Sequence, residues 1–374
     1  MSNSLHLSRE VKVYIQFGAL YWEIPVLDGF SFSQSTNTAE VTLKEMSDST
    51  GASRRGRTMF NDSLAPAEWS FSTYARPFTR DVSNADEHHA VEEVLWAMLA
   101  GATHAHYEAT PNKWADVIDN TATGADIDFA SSNKMVFPTG TIWFKFPANA
   151  GSASDGADLW YKIENATVNE CGAEFDIDGI TTLNWSGMGT KISEPGTAPT
   201  ITSETTAAEL TATDSFIRNR LTQLAITGAN STPILAAYNV VLTGGSITIT
   251  NNVEFVTPSS LGIVNVPLGH TMGTRSISGS FTCYLDHNAG ASGDLLEDLM
   301  SDSDNIRNSF GLVFKVGGSA ATPRVEFNIP KAHLEIPTHS IEDVVSVEVN
   351  FHALPSDISD TDEMTVKYVG LTSQ

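Results

Sequence analysis

Leu159–Met188, LWYKIENATVNECGAEFDIDGITTLNWSGM, lies without a gap on Val325–Leu354, VEFNIPKAHLEIPTHSIEDVVSVEVNFHAL, after a shift of 166 positions. Identities are few, among them Ala166 on Ala332 and Asn184 on Asn350; the pattern is what repeats. Leu159, Tyr161, Ile163, Val168, Phe175, Leu183 and Trp185 fall on Val325, Phe327, Ile329, Leu334, Ile341, Val349 and Phe351. Alternation at period two broken by a polar turn describes paired β-strands with one face buried and one wet.

The repeat extends outward from this pair. Glu68–Phe78 (EWSFSTYARPF) and the second-half SISGSFTCYLD read as strands, with Phe71-Ser-Thr-Tyr74 on Phe281-Thr-Cys-Tyr284. A helix follows each: Glu87–Ala100, with acidic residues in its first turn and Gly101 as terminator, and Gly293–Met300. Thr141–Phe146 and Leu312–Lys315 then resume strand, with Phe144-Lys145 on Phe314-Lys315. Leu224–Ile226, Ala237–Leu242 and Ile247–Thr250 read as three strands with Gly244-Gly245 between the last two. Strand, loop, strand, helix, strand and hairpin, twice in one order, is an internal duplication. The expected boundaries are 1–192 for a first unit with an irregular surface insertion at 102–139, then a Pro/Thr/Ser/Glu-rich linker or bridging strap at 193–214. A second unit follows at 215–355, and a tail at 356–374. The expected fold class is mainly β with flanking helices, internally duplicated.

A chain of 374 residues can hold two or three cores. Its formal charge is −24, shared as −13 over residues 1–200 and −11 over 201–374, so the whole body is acidic. Such a surface repels nucleic acid and excludes a sequence-reading DNA binder. Cys171 and Cys283 stand one in each half and suggest no disulfide framework. No apolar run nears the ~20 residues that span a bilayer, and the first residues lack a signal-peptide profile.

Chemistry-bearing motifs are sparse. His88-His89, adjacent on the expected helix, point about 100° apart. His104 and His106 have no ligand partner at a known metal spacing. Asp176-x-Asp178-Gly179 lacks the rest of a calcium loop. Neither a nucleophile elbow nor a phosphate- or dinucleotide-binding loop is present. The sequence nominates no catalytic residue, metal or cofactor. Small hydroxyls mark the wet faces instead: Ser70 and Ser72, Ser246, Thr248 and Thr250, and Ser276, Ser278, Ser280 and Thr282. On the terminal pairs Asp176, Asp178, Glu342 and Glu348 replace them. Solvent faces ordinarily carry long Lys and Glu, so this one is short and non-basic, as suits a surface that an anion must pass without sticking. Arg54, Arg55 and Arg57 cluster in one loop. They read as a solvated hairpin tip or as a plug for an acidic neighbour, the most abundant being another copy of the chain.

Thr58–Phe78, TMFNDSLAPAEWSFSTYARPF, together with the duplicated layout, resembles the major tail tube proteins of long, non-contractile-tailed bacteriophages. It is similar in particular to the duplicated-domain type of Chi-like, flagellum-attaching phages. The resemblance covers the whole chain, with Trp69–Tyr74 its most specific segment. It implies the β-sandwich tail-tube fold and homotrimeric, pseudo-hexameric rings stacked into a hollow tube that conducts DNA from capsid to host. It also implies a virion location after assembly in the host cytoplasm, with tape-measure, terminator and tip proteins as further partners. About four strands per unit would line the bore and close a barrel. Candidate lining residues are Asp176, Asp178, Glu342 and Glu348; Arg54, Arg55 and Arg57 are candidates for ring-to-ring contact. No surface-decorating immunoglobulin-like module is expected after Phe351. Two other readings stand beside this one: a two-sandwich adhesin, and a glycan-cleaving enzyme with a carboxylate pair.

Overall fold

A computed structural model describes the chain apart from residues 1–5, 42–57, 80–87, 110–111, 115, 122, 130–135, 149–157, 229–236, 259–260, 262–264, 302–309, 319–321, 342–343 and 372–374. The described chain is mainly β and antiparallel throughout its named strand pairs, and no barrel closes within it.

Each half is two layers joined by one bending strand. In the first half an outer layer runs Leu20–Ile24, Lys12–Phe17, Gly140–Phe146, then the front of Leu159–Asp176, edged by Lys191–Ser193. From Thr167 the long strand pairs with Thr182–Gly189 in the inner layer, and its register shifts between Val168 and Glu170. Thr182–Gly189 pairs in turn with Ala67–Tyr74, and that strand with Ser31–Ser33. The second half repeats the graph. Ala237–Asn239, Gln223–Gly228, Phe310–Val316 and Arg324–Leu334 form the outer layer, edged by Thr365–Val369. Thr338–Ser340, Ser346–Ala353, Ser276–Tyr284 and Leu242–Thr250 form the inner one. Even the bulges recur: pairing slips between Gly140 and Ile142 in one half and between Phe310 and Leu312 in the other.

The register refines the repeat. Thr167 pairs with Met188 and Gly172 with Asn184; His333 pairs with His352 and Thr338 with Glu348. The first strand therefore keeps the shift of 166, while the second strand follows a shift of 164. Trp185 corresponds to Val349, not Phe351, and Asn184 to Glu348. The second-half turn is two residues shorter, and a slip of two preserves the inward face, so the alternating pattern conceals it.

Apolar alternation explains the core. Ile142, Phe144 and Ile163 of one layer meet Trp69, Phe71 and Trp185 of the other, all buried. Phe314 is the second-half counterpart of Phe144 and stacks near Phe351 at 5.5 Å and Phe175 at 5.6 Å, so the two halves share aromatic packing.

Several expectations change. The first helix spans Glu93–Ala100 and not Glu87–Ala100, because His88–Ala90 pairs as a strand with Pro77–Thr79. Every residue of that helix is buried, so Glu93 does not face water; Gly101 stops it at φ 84. Ala237–Leu242 and Ile247–Thr250 are not separated by a Gly-Gly turn: Leu242–Thr250 is one strand. Gly245 is required inside it because a Cβ there would lie 2.8 Å from the Phe175 ring and 2.7 Å from the Ser280 carbonyl oxygen. The described residues of 102–139 include regular structure. Tyr107–Ala109, Asn112–Trp114, Ile118–Thr121 and Gly124–Asp128 form a meander that buries Trp114, Ile118 and Ile127. The tail contributes Thr365–Val369, which inserts between Gly124–Asp128 of the first half and Arg324–Leu334 of the second. Residues 193–214 form a strap. Arg76 anchors it by donating to the carbonyls of Glu209 (2.7 Å) and Ala212 (2.8 Å), and Thr206 and Glu209 form a capping box on the helix Ala207–Thr211.

Candidate functional site: a hydroxyl and carboxylate face between two open edges

The long strand carries the site because it has two partners. Beyond the bulge, Glu170 to Glu174 pair with Thr182–Gly189 on one side, and Glu170 to Asp176 pair with Leu242–Thr250 of the other half on the other. Seven residue pairs, from Glu170↔Thr250 to Asp176↔Gly244, fuse the two inner layers. The result is one sheet of eight described strands, four from each half, running from Ser31–Ser33 to Thr338–Ser340.

One face of this sheet is the core. The other carries residues that alternate with it and line up in rows. Ser31, Ser70, Ser186, Glu170, Thr250 and Ser276 form one row across six strands. Asp176, Gly244, Thr282, Glu348 and Thr338 form another. The hydroxyls bond sideways: Ser31 Oγ to Ser70 Oγ at 2.9 Å, Ser72 Oγ to Asn184 Oδ1 at 2.7 Å, Thr250 Oγ1 to Glu170 Oε2 at 3.2 Å. None of the strand segments that make the face contains Lys or Arg. A polyanion near it meets carboxylates and short dipoles, and finds no cation whose pairing would release counterions and hold it.

Among the residues expected here, Asp176 and Glu348 share a row, three strands apart. Asp178 does not join them. The strand ends at Asp176, whose Oδ1 accepts the Ile177 N–H at 2.6 Å, and Gly179 turns the chain at φ 107. Asp178 sits on the rim, 3.7 Å from Arg220, in an exposed pair of little energetic weight. Glu342, Arg54, Arg55 and Arg57 lie outside the described residues. Missed in sequence were Glu68, Glu170 and Glu174, which also stand on this face. The signal existed: counting back by twos from Asp176 reaches Glu174 and Glu170.

Two hairpins leave the same end of the sheet, Thr36–Glu40 with Met59–Leu64 and Val253–Val256 with Gly269–Met272. They touch through a bridge between Ser63 and Asn265 and present exposed Met59, Phe60, Val256 and Leu268. The opposite rim exposes Ile177, Ile180, Val241, Tyr284 and Leu285.

Residues 29–353 match the family described as phage tail tube protein. The chain is also 29% identical over 357 residues to "Tail tube protein pb6" of Escherichia phage T5, an alignment that covers 94% of this chain and 71% of that protein.

Proposed function

The chain belongs to the phage tail tube protein family, and on that premise we propose that three copies close side by side into a ring of six alike units, with the hydroxyl and carboxylate face lining the bore. The protein is a structural component of the virion, a subunit of the tail tube. The observation that carries the finer reading is the seam inside the chain. One half already joins the other edge to edge in a continuous sheet, while the outermost edges, Ser31–Ser33 and Thr338–Ser340, have no further strand beside them among the described residues. An open edge is a template for another strand, and ring closure removes it. Three chains of eight strands give about 24; at ~4.8 Å spacing and ~40° tilt the backbone diameter is roughly 48 Å, enough for a DNA duplex with water around it.

Rings stack head to tail in this reading, the two hairpins of one meeting the apolar rim of the next, a heterologous contact that extends without closing. The arginines Arg54, Arg55 and Arg57 are proposed to reach acidic groups of the adjacent ring. Changing all three to glutamate is expected to abolish polymerisation, read as filament loss by negative-stain microscopy; intact tubes from that variant refute the role. Tape-measure, terminator and tip proteins are the further partners proposed, and catalysis has no part.

Electron microscopy of the purified protein tests the ring. Long hollow filaments with threefold order and an acidic bore are expected. Compact particles with a ligand cleft would instead support the adhesin reading, and a bore lined by Lys or Arg would overturn the assignment of the face.

A further inference from the structure

The two halves are alike enough that the seam within the chain predicts the seam between chains, residue by residue. Thr338–Ser340 repeats Gly172–Glu174 by the shift of 166. Ser31–Ser33 repeats Ser246–Thr248, since Ser31 faces Ser70 as Ser246 faces Ser280. Inside the chain Gly172 pairs with Thr248 and Glu174 with Ser246. At the inner seam these positions are covered. Ala173 is 1% exposed and Phe175 3%, whereas their counterparts are bare, His339 exposed and Ile341 83% exposed.

The inner seam is closed at one end by Asn169, whose backbone oxygen accepts the Asn251 N–H at 2.8 Å and whose Oδ1 accepts the Val253 N–H at 2.8 Å. Its counterpart at the open edge is Glu335. That carboxylate is already held in place, with Oε2 accepting from Asn350 Nδ2 at 3.0 Å and Oε1 lying 3.3 Å from His352 Nε2. The residue corresponding to Val253 on the other open edge is Thr36: each is the first residue of its hairpin pairing, Thr36 with Leu64 and Val253 with Met272, and each follows a carbonyl bonded across the hairpin, Ser35 to the Ala65 N–H and Asn252 to the Gly273 N–H.

We propose that the edge from Glu335 to Ile341 receives the edge from Phe30 to Thr36 of a second copy of this chain, with Thr338 opposite Ser33 and Ser340 opposite Ser31. In this register Glu335 acts as the clasp that accepts the Thr36 N–H, and Ile341 covers Phe30. The inference rests on the ring reading and specifies its contact. The clasp is charged at the seam between chains and neutral at the seam within the chain, so a charge-assisted bond replaces the covalent continuity that the inner seam enjoys.

Cysteine pairs in the full chain test it. Cys171 and Cys283 are buried, and burial raises both thiols, so background cross-linking is low. In assembled tubes S33C/T338C should oxidise to a covalent trimer on a denaturing gel, while S33C/S340C, two residues out of register, should stay monomeric. Cross-linking of the second pair alone, or of neither in intact tubes, overturns the register. Wild-type protein that forms no tubes at all sinks the ring reading instead, so the two failures are distinguishable. Glu335→Ala should raise the protein concentration needed for tube growth about tenfold, one hydrogen bond's worth, and Glu335→Asn should restore it; unchanged growth of the alanine variant removes the clasp. If the cysteine variants do not fold, hydrogen exchange on unmodified protein decides. Edge amides of 31–33 and 338–340 must both gain protection on assembly, and either set left open overturns the proposal.

Discussion

Gly279→Ala is expected to destabilise the unassembled chain by about 3–5 kcal/mol, the upper range for a single methyl, measured by urea denaturation. Gly279 lies opposite Phe351 on the neighbouring strand. A Cβ there would stand 2.0 Å from the Ser246 carbonyl oxygen and 2.7 Å from the Phe351 ring. The ring can turn aside; the carbonyl is held in the sheet between two strands and cannot. Truncating the ring as well, in Gly279→Ala with Phe351→Ala, therefore should not restore stability and should add the cost of a cavity. Gly187 poses the same problem in the first half, with a Cβ 2.0 Å from the Thr167 carbonyl oxygen and 2.5 Å from the Trp69 ring. By the register of the two halves Trp69 corresponds to Gly279 and Gly187 to Phe351. Each half thus fills one space with one aromatic ring, and the ring has changed strands between the copies. A Gly279→Ala protein within about 1 kcal/mol of wild type would show that the sheet yields at this point, against the packing argument.

That exchange marks what the sequence could and could not disclose. Alternation found the strands, because a sheet with one buried face writes its period into the chain. Trp69, Phe71, Trp185, Val347 and Val349 all point inward as the alternation requires. A slip of two residues leaves no trace in such a pattern, so Trp185 aligned with Phe351 although it occupies the place of Val349. Partners were harder than strands. NECGAEFD reads as half of a hairpin, yet its other edge binds LTGGSITIT about seventy residues on, and nothing local reports a second partner. TVKYV near the end alternates well, but its neighbours in the sheet are Gly124–Asp128 and Arg324–Leu334, and so the segment read as tail. Glu92 and Glu93 are acids within the expected helix, and both are buried beside the meander and the terminal strand, neighbours that nothing local in the sequence announces. Of the candidate site, the hydroxyl faces and Asp176 and Glu348 were legible, while Asp178 was extrapolated past a strand end that Gly179 sets.

The buried Glu92 makes a second large effect calculable. Its Oε1 accepts from Tyr368 Oη at 2.6 Å and from the Arg76 N–H at 3.2 Å, while Oε2 is buried without a partner. Burial pushes the carboxyl up to about 7 against the partial opposition of those hydrogen bonds. The unfolded chain ionises it near the ordinary value of 4.5. A carboxyl whose folded value is raised contributes its stability in full below the unfolded value and loses it as pH rises through the folded one. From pH 4 to pH 8 this group alone should therefore cost the fold about 3 kcal/mol. Glu92→Gln cannot ionise and retains an oxygen for Tyr368 and Arg76. It should match wild type within about 1 kcal/mol at pH 5, exceed it by about 2–3 kcal/mol at pH 8, and flatten the pH profile between them. Because Tyr368 also accepts the Trp96 indole N–H and belongs to the strand that joins the halves, the first signal lost at high pH should be protection of Thr365–Val369 in hydrogen exchange. Equal wild-type stability at pH 5 and pH 8, with Glu92→Gln no different from it at either, would mean that the carboxylate is solvated in the fold and that burial does not govern it.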